Sequence, residues 1–310
     1  KGYIKRVPLT TYSVQHRGGK GKKGMGVLGE AEDLLLDLFV TKNHDDLFFF
    51  TNKGRIFNLK VFQVPEASRL AKGRAIVNLL QLPEGEIIVK LLCLRASEMN
   101  DKFFVMVTKK GVIKKTDAMA FSKVRATGIK ALGLHDDDEL AFCDLSSGND
   151  SIVVATAKGY GIRFKEDEVR SMGRQAAGVR AIRLKKGDFV VGLEVVDDDR
   201  SILFATSKGY GKRVKIKDFR VAHRGGMGVR TIPTDFRNGD VIGLTKVTDE
   251  SHLLLIDTNG KIIRLSSQEI RTMGRQAKGV RLVRLDNDQV LSSVVAFEGS
   301  GIEEIDKTEE

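Results

Sequence analysis

"IVVATAKGYGIRFK", residues 152–165, returns fifty residues later as "ILFATSKGYGKRVK", residues 202–215. Each copy is an apolar run, a Thr, a Gly turn and a second run that ends on a basic residue. The same unit reads "LFFFTNKGRIFNLK" at 47–60, "FFVMVTKKGVIKKT" at 103–116 and "LLLIDTNGKIIRL" at 253–265, and "KGYIKR" at 1–6 is the second half of a sixth copy. The turn glycines are Gly2, Gly54, Gly111, Gly159, Gly209 and Gly260, a period of about fifty residues. Short runs rich in Val, Ile, Leu and Phe around such a turn predict antiparallel hairpins, with glycine supplying the positive φ of the tight turn.

Two further landmarks recur in every repeat. One is a basic, glycine-containing segment: "MGRQAAGVRAIRL" (172–184), "AHRGGMGVRTI" (222–232) and "MGRQAKGVRLVRL" (273–285), with degenerate copies "LAKGRAIVNLL" (70–80) and "RATGIKALGL" (125–134). The other is an acidic turn followed by an apolar run, as in "KGDFVVGLEVV" (186–196) and "NGDVIGLTKV" (238–247), with a first copy "EAEDLLLDLFV" at 30–40. Two strands around the Gly turn and two around the acidic turn make about four per repeat. Four-stranded units at this period predict radial blades whose neighbours bury each other's faces. The expectation is an all-β, six-bladed disc over residues 1–298, followed by a disordered acidic tail at 299–310.

Composition fits that reading. A chain of 310 residues exceeds what one core usually organises, so two domains or a repeat array is expected. Lys and Arg number 52 against 41 Asp and Glu, a formal charge of +11. That excess favours polyanions, and nucleic acid over a membrane, because no basic amphipathic helix and no apolar run of spanning length is present. Cys93 and Cys143 sit in apolar runs and read as reduced core thiols. The five histidines lack metal-ligand spacing, so no metal is expected. A chain that opens at Lys1 reads as a fragment of a longer protein.

The recurring basic segments are predicted loops, or at most one helical turn. Falling at one place in each blade, they would line the rim of the disc as a continuous track. The rim candidates are Arg69, Lys72 and Arg74; Lys123, Arg125 and Lys130; Arg170, Arg174 and Arg180; Arg224 and Arg230; and Arg271, Arg275, Lys278 and Arg281. Residues 172–184 and 271–284 contain no acid, the acids gathering at turns such as 136–139 and 197–199. Neighbouring glycines would let the backbone approach a phosphate, with Arg binding it as a planar fork and Lys as a point charge. Tyr3, Tyr160 and Tyr210 all follow a turn glycine and read as packing residues. Without aromatic platforms or a reading helix in these loops, the expected ligand is the backbone of duplex DNA, with little sequence preference.

The strongest basic segment is "SVQHRGGKGKKGMGV" at 13–27, the rim loop of the first repeat. Within it "QHRGGKG", Gln15 to Gly21, resembles the glycine-rich box, typically Gln-Arg-Arg-Gly-Gly-Lys-Gly, of the C-terminal domain of the DNA gyrase A subunit. The repeated Thr-x-Lys-Gly and Gly-Val-Arg landmarks look like that domain's six blades, and the resemblance covers roughly residues 1–298. His16 departs from the usual Arg. The resemblance implies a β-pinwheel, a propeller-like disc that wraps duplex DNA around its rim and presents a neighbouring segment for ATP-driven negative supercoiling. It implies box contacts to DNA from Gln15, His16, Arg17, Gly18, Gly19, Lys20 and Gly21, extended here by Lys22 and Lys23. It further implies partnership with the rest of the gyrase A subunit, and with the gyrase B subunit, in an A2B2 enzyme of the bacterial cytoplasm and nucleoid. The isolated domain is expected to be monomeric, with ATP and Mg²⁺ used elsewhere in the holoenzyme, no cofactor of its own and no catalytic residue.

Three alternatives stay open at the level of sequence. The corresponding domain of topoisomerase IV shares the blades but usually has a degraded box. A protein-interaction propeller would carry WD40 or kelch signatures, and a chain without Trp cannot hold the WD dipeptide. A propeller enzyme would need convergent carboxylates or histidines around a central channel, and no such constellation is legible.

Overall fold

In a computed structural model of the chain, the described residues are 2–8, 39, 41–68, 71–124, 127–259, 262–274, 277–285 and 289–298. They contain twenty-one strands and short 3-10 turns. The hairpins of the second to sixth repeats are β2 (Asp46–Thr51) with β3 (Arg55–Lys60), β6 (Phe103–Thr108) with β7 (Val112–Asp117), β10 (Ser151–Thr156) with β11 (Tyr160–Lys165), β14 (Ser201–Thr206) with β15 (Tyr210–Lys215), and β18 (Ser251–Asp257) with β19 (Ile262–Ser266). Each is followed by a two-residue strand or its counterpart: β4 (Arg74–Ala75), β8 (Ile129–Lys130), β12 (Val179–Arg180), β16 (Val229–Arg230) and β20 (Val280–Arg281). A longer strand closes each repeat: β5 (Ile88–Leu94), β9 (Leu140–Ser146), β13 (Val190–Val196), β17 (Val241–Val247) and β21 (Leu291–Glu298). The remaining strand is β1 (Tyr3–Ile4).

The hairpins form as their sequence predicts. In the fourth repeat Gly159 has φ +80°, and its N–H donates to the Thr156 carbonyl at 3.0 Å. A Cβ there would stand 2.5 Å from the Ile232 carbonyl oxygen. The recurring Thr closes the turn: Thr156 Oγ1 accepts from the Tyr160 N–H at 3.3 Å and donates to the Asp188 carboxylate at 2.7 Å. The acidic turns therefore cap the tight turns.

Strand order departs from the expectation in one respect. The two strands flanking an acidic turn do not pair with each other. The fourth repeat runs through β10 and β11, crosses to lay β12 on the outer edge of the third repeat's β7, and returns to place β13 beside its own β10. The sheets read β5-β2-β3-β8, β9-β6-β7-β12, β13-β10-β11-β16 and β17-β14-β15-β20, and a three-stranded β21-β18-β19. Successive long strands β5, β9, β13, β17 and β21 contact one another and line the centre, leaving the two-residue strands outermost. The described residues thus build five blades where the repeat count predicts six. The first repeat contributes only the pair β1-β4, because residues 9–38 lie outside those described.

Five apolar clusters fill the spaces between neighbouring sheets. On β10, Ile152 and Val154 face the third blade while Val153 and Ala155 face the fifth. Burial on both faces is why these runs are continuously apolar rather than alternating. Between the second and third blades, Phe104 meets Phe48, Phe50 and Phe121 edge-on with ring centroids 5.1 to 5.6 Å apart. Cys143 is buried in that cluster, and Cys93 is half-buried with Sγ 3.2 Å from Thr41 Oγ1.

Polar clasps also cross the junctions. In the third, fourth and fifth repeats the fourth residue of the outer hairpin strand is basic and donates to the 3-10 turn of the next repeat: Lys115 to Glu166, Arg163 to Ile216 and Phe219, and Arg213 to Ser267, with Arg6 reaching the Val64 carbonyl in the same way. Arg163 is buried, bonding the Ile216 and Phe219 carbonyls at 2.6 and 3.0 Å with Asp198 alongside. Arg163→Ala would leave the Phe219 carbonyl without this donor, while the Ile216 carbonyl keeps the Phe219 N–H at 2.9 Å, so we expect it to lower stability by about 2 kcal/mol in urea unfolding. A loss below about 1 kcal/mol would show that the clasp is dispensable.

Candidate nucleic-acid interface

The outermost strands bring the basic residues into one register. Lys130, Arg180, Arg230 and Arg281 are each the second residue of such a strand, exposed, and paired across from Arg55, Val112, Tyr160 and Tyr210. In the first repeat the register is the same, with Gly73 against the Ile4 carbonyl as Gly178 is against that of Ile113, so the position of Arg230 falls to Ala75. Ala75 stands across from Tyr3, and Arg74, exposed, faces Ile4. Lys72, Lys123, Arg170, Arg174, Arg271 and Lys278 are exposed or half-buried in the connecting loops. Gln15, His16, Arg17, Gly18, Gly19, Lys20, Gly21, Lys22 and Lys23, together with Arg69, Arg125 and Arg275, lie outside the described residues.

Arg224 does not present a free head. It is half-buried, its Nε donating to the Glu168 carbonyl at 2.9 Å and a terminal nitrogen to the Arg180 carbonyl at 3.2 Å, so it fastens one loop to the preceding outer strand. The glycines of the Gly-Val-Arg motif also differ from expectation. Gly279 has φ +87°, and a Cβ would lie 2.5 Å from the Gly211 carbonyl oxygen; Gly178 and Gly228 likewise abut the carbonyls of Ile113 and Gly161. They are required by the close approach of the exchanged strand. Gly173 and Gly274 have nothing within 4 Å of a Cβ and are the ones left open.

Successive loops join edge to edge. The Gly133 N–H donates to Ala176 at 3.0 Å, Arg183 to Gly226 at 2.8 Å, Gly225 to Ala181 at 2.6 Å, and the Asn238 side chain to Lys278 at 3.1 Å. Buried lysines hold them from beneath. Lys114 Nζ donates to the Ala131 and Arg174 carbonyls at 2.7 and 2.6 Å, and Lys212 to Thr231 and Ala277 at 2.7 and 3.2 Å. Burial, with Lys130 adding repulsion, pulls the Lys114 pKa down to about 8.

Ion pairs take up several cations elsewhere on the surface. Turn lysines Lys53 and Lys109 share Glu139 at 3.5 and 2.7 Å, Lys60 meets Asp46 at 2.7 Å, and Arg213 meets Asp249 at 2.5 Å. Among the described residues, Arg74, Lys123, Lys130, Arg170, Arg174, Arg180, Arg230, Arg271, Lys278 and Arg281 form no ion pair. Two sequence readings change as well. Tyr160 and Tyr210 are not plain packing residues but stack under Lys185 and Arg230, and under Arg237 and Arg281. Tyr3, 44% exposed, lies under Lys72 at 4.5 Å. At the centre, charged residues do converge: Lys246 of β17 lies 3.5 Å from Asp144 of β9 and 3.8 Å from Glu194 of β13. Burial pushes the Glu194 pKa up to about 7 against the pull of Lys246. Lys246 bridges the two carboxylates, an arrangement that ties three inner strands together.

Residues 1–298 match one family in six consecutive segments, 1–42, 45–95, 102–147, 150–197, 200–245 and 251–298, described as "DNA gyrase C-terminal domain, beta-propeller". The chain belongs to this family. It is 41% identical over 309 residues to the A subunit of DNA gyrase from Clostridium acetobutylicum, covering 100% of this chain and 37% of that protein. It is 42% identical over 304 residues to the A subunit of DNA gyrase from Staphylococcus aureus, covering 97% and 34%. The chain thus spans about a third of the length of these curated relatives. Among solved structures, the C-terminal domain of DNA topoisomerase IV superposes with a TM-score of 0.82 at 27% identity, covering 96% of this chain and 90% of that one. A DNA gyrase A C-terminal domain gives 0.74 at 24% identity, covering 96% and 97%, which supports the fold.

The lysine beneath the loops supplies a test of this geometry. With a folded pKa near 8 against the ordinary 10.5, the folded chain holds fewer protons than the unfolded one between those values, so this site's contribution to stability rises with pH there. Urea unfolding should therefore show the native chain gaining on Lys114→Met as the pH is raised from neutrality to about 9.5. A pH-independent difference would mean that Lys114 titrates as an exposed lysine.

Proposed function

We propose that this chain is the DNA-wrapping domain of the DNA gyrase A subunit, binding and bending duplex DNA around its outer edge. One observation carries the reading: exposed cations without carboxylate partners recur in register on the outermost strands. Such an edge suits a phosphate backbone, whose recognition is largely independent of sequence. The wrap would present a segment of the same DNA for ATP-dependent negative supercoiling by the holoenzyme. The gyrase B subunit, the rest of the A subunit in an A2B2 assembly, ATP, Mg²⁺ and the nucleophile belong to that larger enzyme of the bacterial cytoplasm and nucleoid. The isolated domain would act as a monomer without a cofactor. Six matched segments and the β1-β4 pair, which repeats the β3-β8 arrangement, favour a sixth blade over residues 1–42 and a disc spanning 1–298. The acidic stretch 299–310 would be a tail outside it.

Magnitudes favour distributed contacts. Bending duplex half-way round a disc within about 30 to 40 bp, well under the persistence length of ~150 bp, costs on the order of 10 kcal/mol. Contacts to a single blade would not offset this. A ring of about ten phosphate contacts would, with a correspondingly steep salt dependence. Similarity of fold alone would equally suit the topoisomerase IV counterpart. Identity to gyrase A relatives and the nearly complete box at Gln15 to Gly21 favour gyrase.

Ligating a nicked circle in the presence of the chain should shift its linking number. Ligation at saturating protein with no shift would overturn wrapping by the domain. In the holoenzyme, replacing Gln15 to Gly21 by alanines should abolish supercoiling and spare relaxation, whereas unaltered supercoiling would remove the special role of the box.

A further inference from the structure

Two adjacent blades carry a cluster that no repeat landmark marks. At Tyr160 of β11, Lys185 Nζ lies 4.6 Å from the ring centroid and donates to the phenol oxygen at 2.6 Å, while the Arg230 guanidinium lies at 5.2 Å and donates at 3.3 Å. At Tyr210 of β15, Arg237 lies 4.5 Å and Arg281 5.4 Å from the centroid, Arg281 donating to the phenol oxygen at 2.8 and 3.3 Å. Two positive groups thus converge on one neutral phenol twice over. Like charges this close repel, and among the described residues none of the four cations has an ion-pair partner to offset the repulsion.

The second blade shows what compensation looks like at this position. There Arg55 replaces the tyrosine, and Glu86 stands 3.7 Å from it. At Tyr160 and Tyr210 the balancing charge has to come from outside. A phosphodiester is a monoanion with two free oxygens, which can accept from both cations at once. The ring, sandwiched by cation–π contact, fixes the cation heads before binding and so lowers the ordering cost.

We propose that Lys185 with Arg230, and Arg237 with Arg281, form two phosphodiester seats on consecutive blades, with Tyr160 and Tyr210 as the positioning residues. The proposal rests on the wrapping reading and makes its grip uneven, strongest at these two junctions. Lys185 and Arg237 belong to the crossing loops, so the seats extend the track from the outer strands toward the face carrying the hairpin turns.

The test uses the full chain and a fluorescent duplex of about forty base pairs, titrated across salt. Lys185→Gln combined with Arg237→Gln should lower affinity about tenfold near 0.15 M salt and reduce the salt slope by about two. Lys53→Gln removes a lysine already paired with Glu139 and should change neither. Tyr160→Leu with Tyr210→Leu should weaken binding with every cation retained, and the corresponding Phe pair should weaken it less. The phenols provide a readout that a purely structural role would not move. Hydrogen bonds from Lys185 and Arg281 hold them below the ordinary tyrosine range, and bound duplex should raise them toward it. If the native chain shifts the linking number but the Lys185→Gln, Arg237→Gln variant keeps the native slope and affinity, the seats are refuted and wrapping stands. A native chain that neither binds duplex nor shifts the linking number overturns both.

Discussion

Every complete blade is finished by a strand from the next repeat, and the rest of the structure follows from that exchange. Because β12, β16 and β20 must reach back across a junction before their own repeats can be closed by β13, β17 and β21, neighbouring blades share backbone hydrogen bonds as well as apolar surface. The exchange demands a residue without a side chain where the crossing strand meets the carbonyl of the blade it joins. Gly279 against Gly211 is the example, with positive φ and no room for a Cβ. A glycine that looks designed for a ligand is thus first a condition for assembling the ring.

The same exchange sorts the positive charges by depth. Along the outer hairpin strand, Lys114 and Lys212 turn inward to hold the loops, and Arg163 and Arg213 reach the next repeat's 3-10 turn. Charges buried in this way are matched to carbonyls and carboxylates and contribute little field outside. The acids of the crossing loops are likewise committed, Asp188 to Thr156 and the Lys158 N–H, and Glu139 to Lys53 and Lys109. Among the described residues, Lys130, Arg180, Arg230 and Arg281 of the outermost register form no ion pair. Unpaired cations set in one register raise the local concentration of a polyanion along that edge more than the same charges scattered evenly would.

Much of this was legible because the repeat is strict. Thr156, Gly159 and the apolar run before them dictate a hairpin through local chemistry, and repetition near fifty residues dictates blades. The exchange of outer strands was not legible, since "GVR" has the same composition whichever sheet it joins; the glycine at its start was the available signal. Nor could charge alone tell Arg224, spent on backbone carbonyls, from Arg230 on the surface. Charge picks out Arg74 in the degenerate copy, yet both the glycine and the strand pairing put Ala75 in the Arg230 series. Lys185 and Arg237 went unmarked because they lie beyond the motif and gain meaning only from the tyrosine each covers. The meeting of Asp144, Glu194 and Lys246 required three inner strands from three repeats to be set side by side.

Bending a stiff polymer requires a scaffold that does not yield first, and the position of the rim cations bears on this. A pull on Arg230 acts on β16, which is hydrogen-bonded to β11 of the preceding blade and continues through the crossing loop into β17 of its own. Load applied at one contact is therefore divided between two blades before it reaches either core. The clasp from Arg163 to Ile216 and Phe219 spans the same junction from within, so opening it would take a buried guanidinium from its cross-junction acceptors and leave the Phe219 carbonyl without that donor. Contacts placed on a blade's own hairpin would lack this bracing. On the wrapping reading, the cations occupy the one strand whose displacement must deform two blades at once, and so the energy of binding goes into curving the duplex rather than opening the ring.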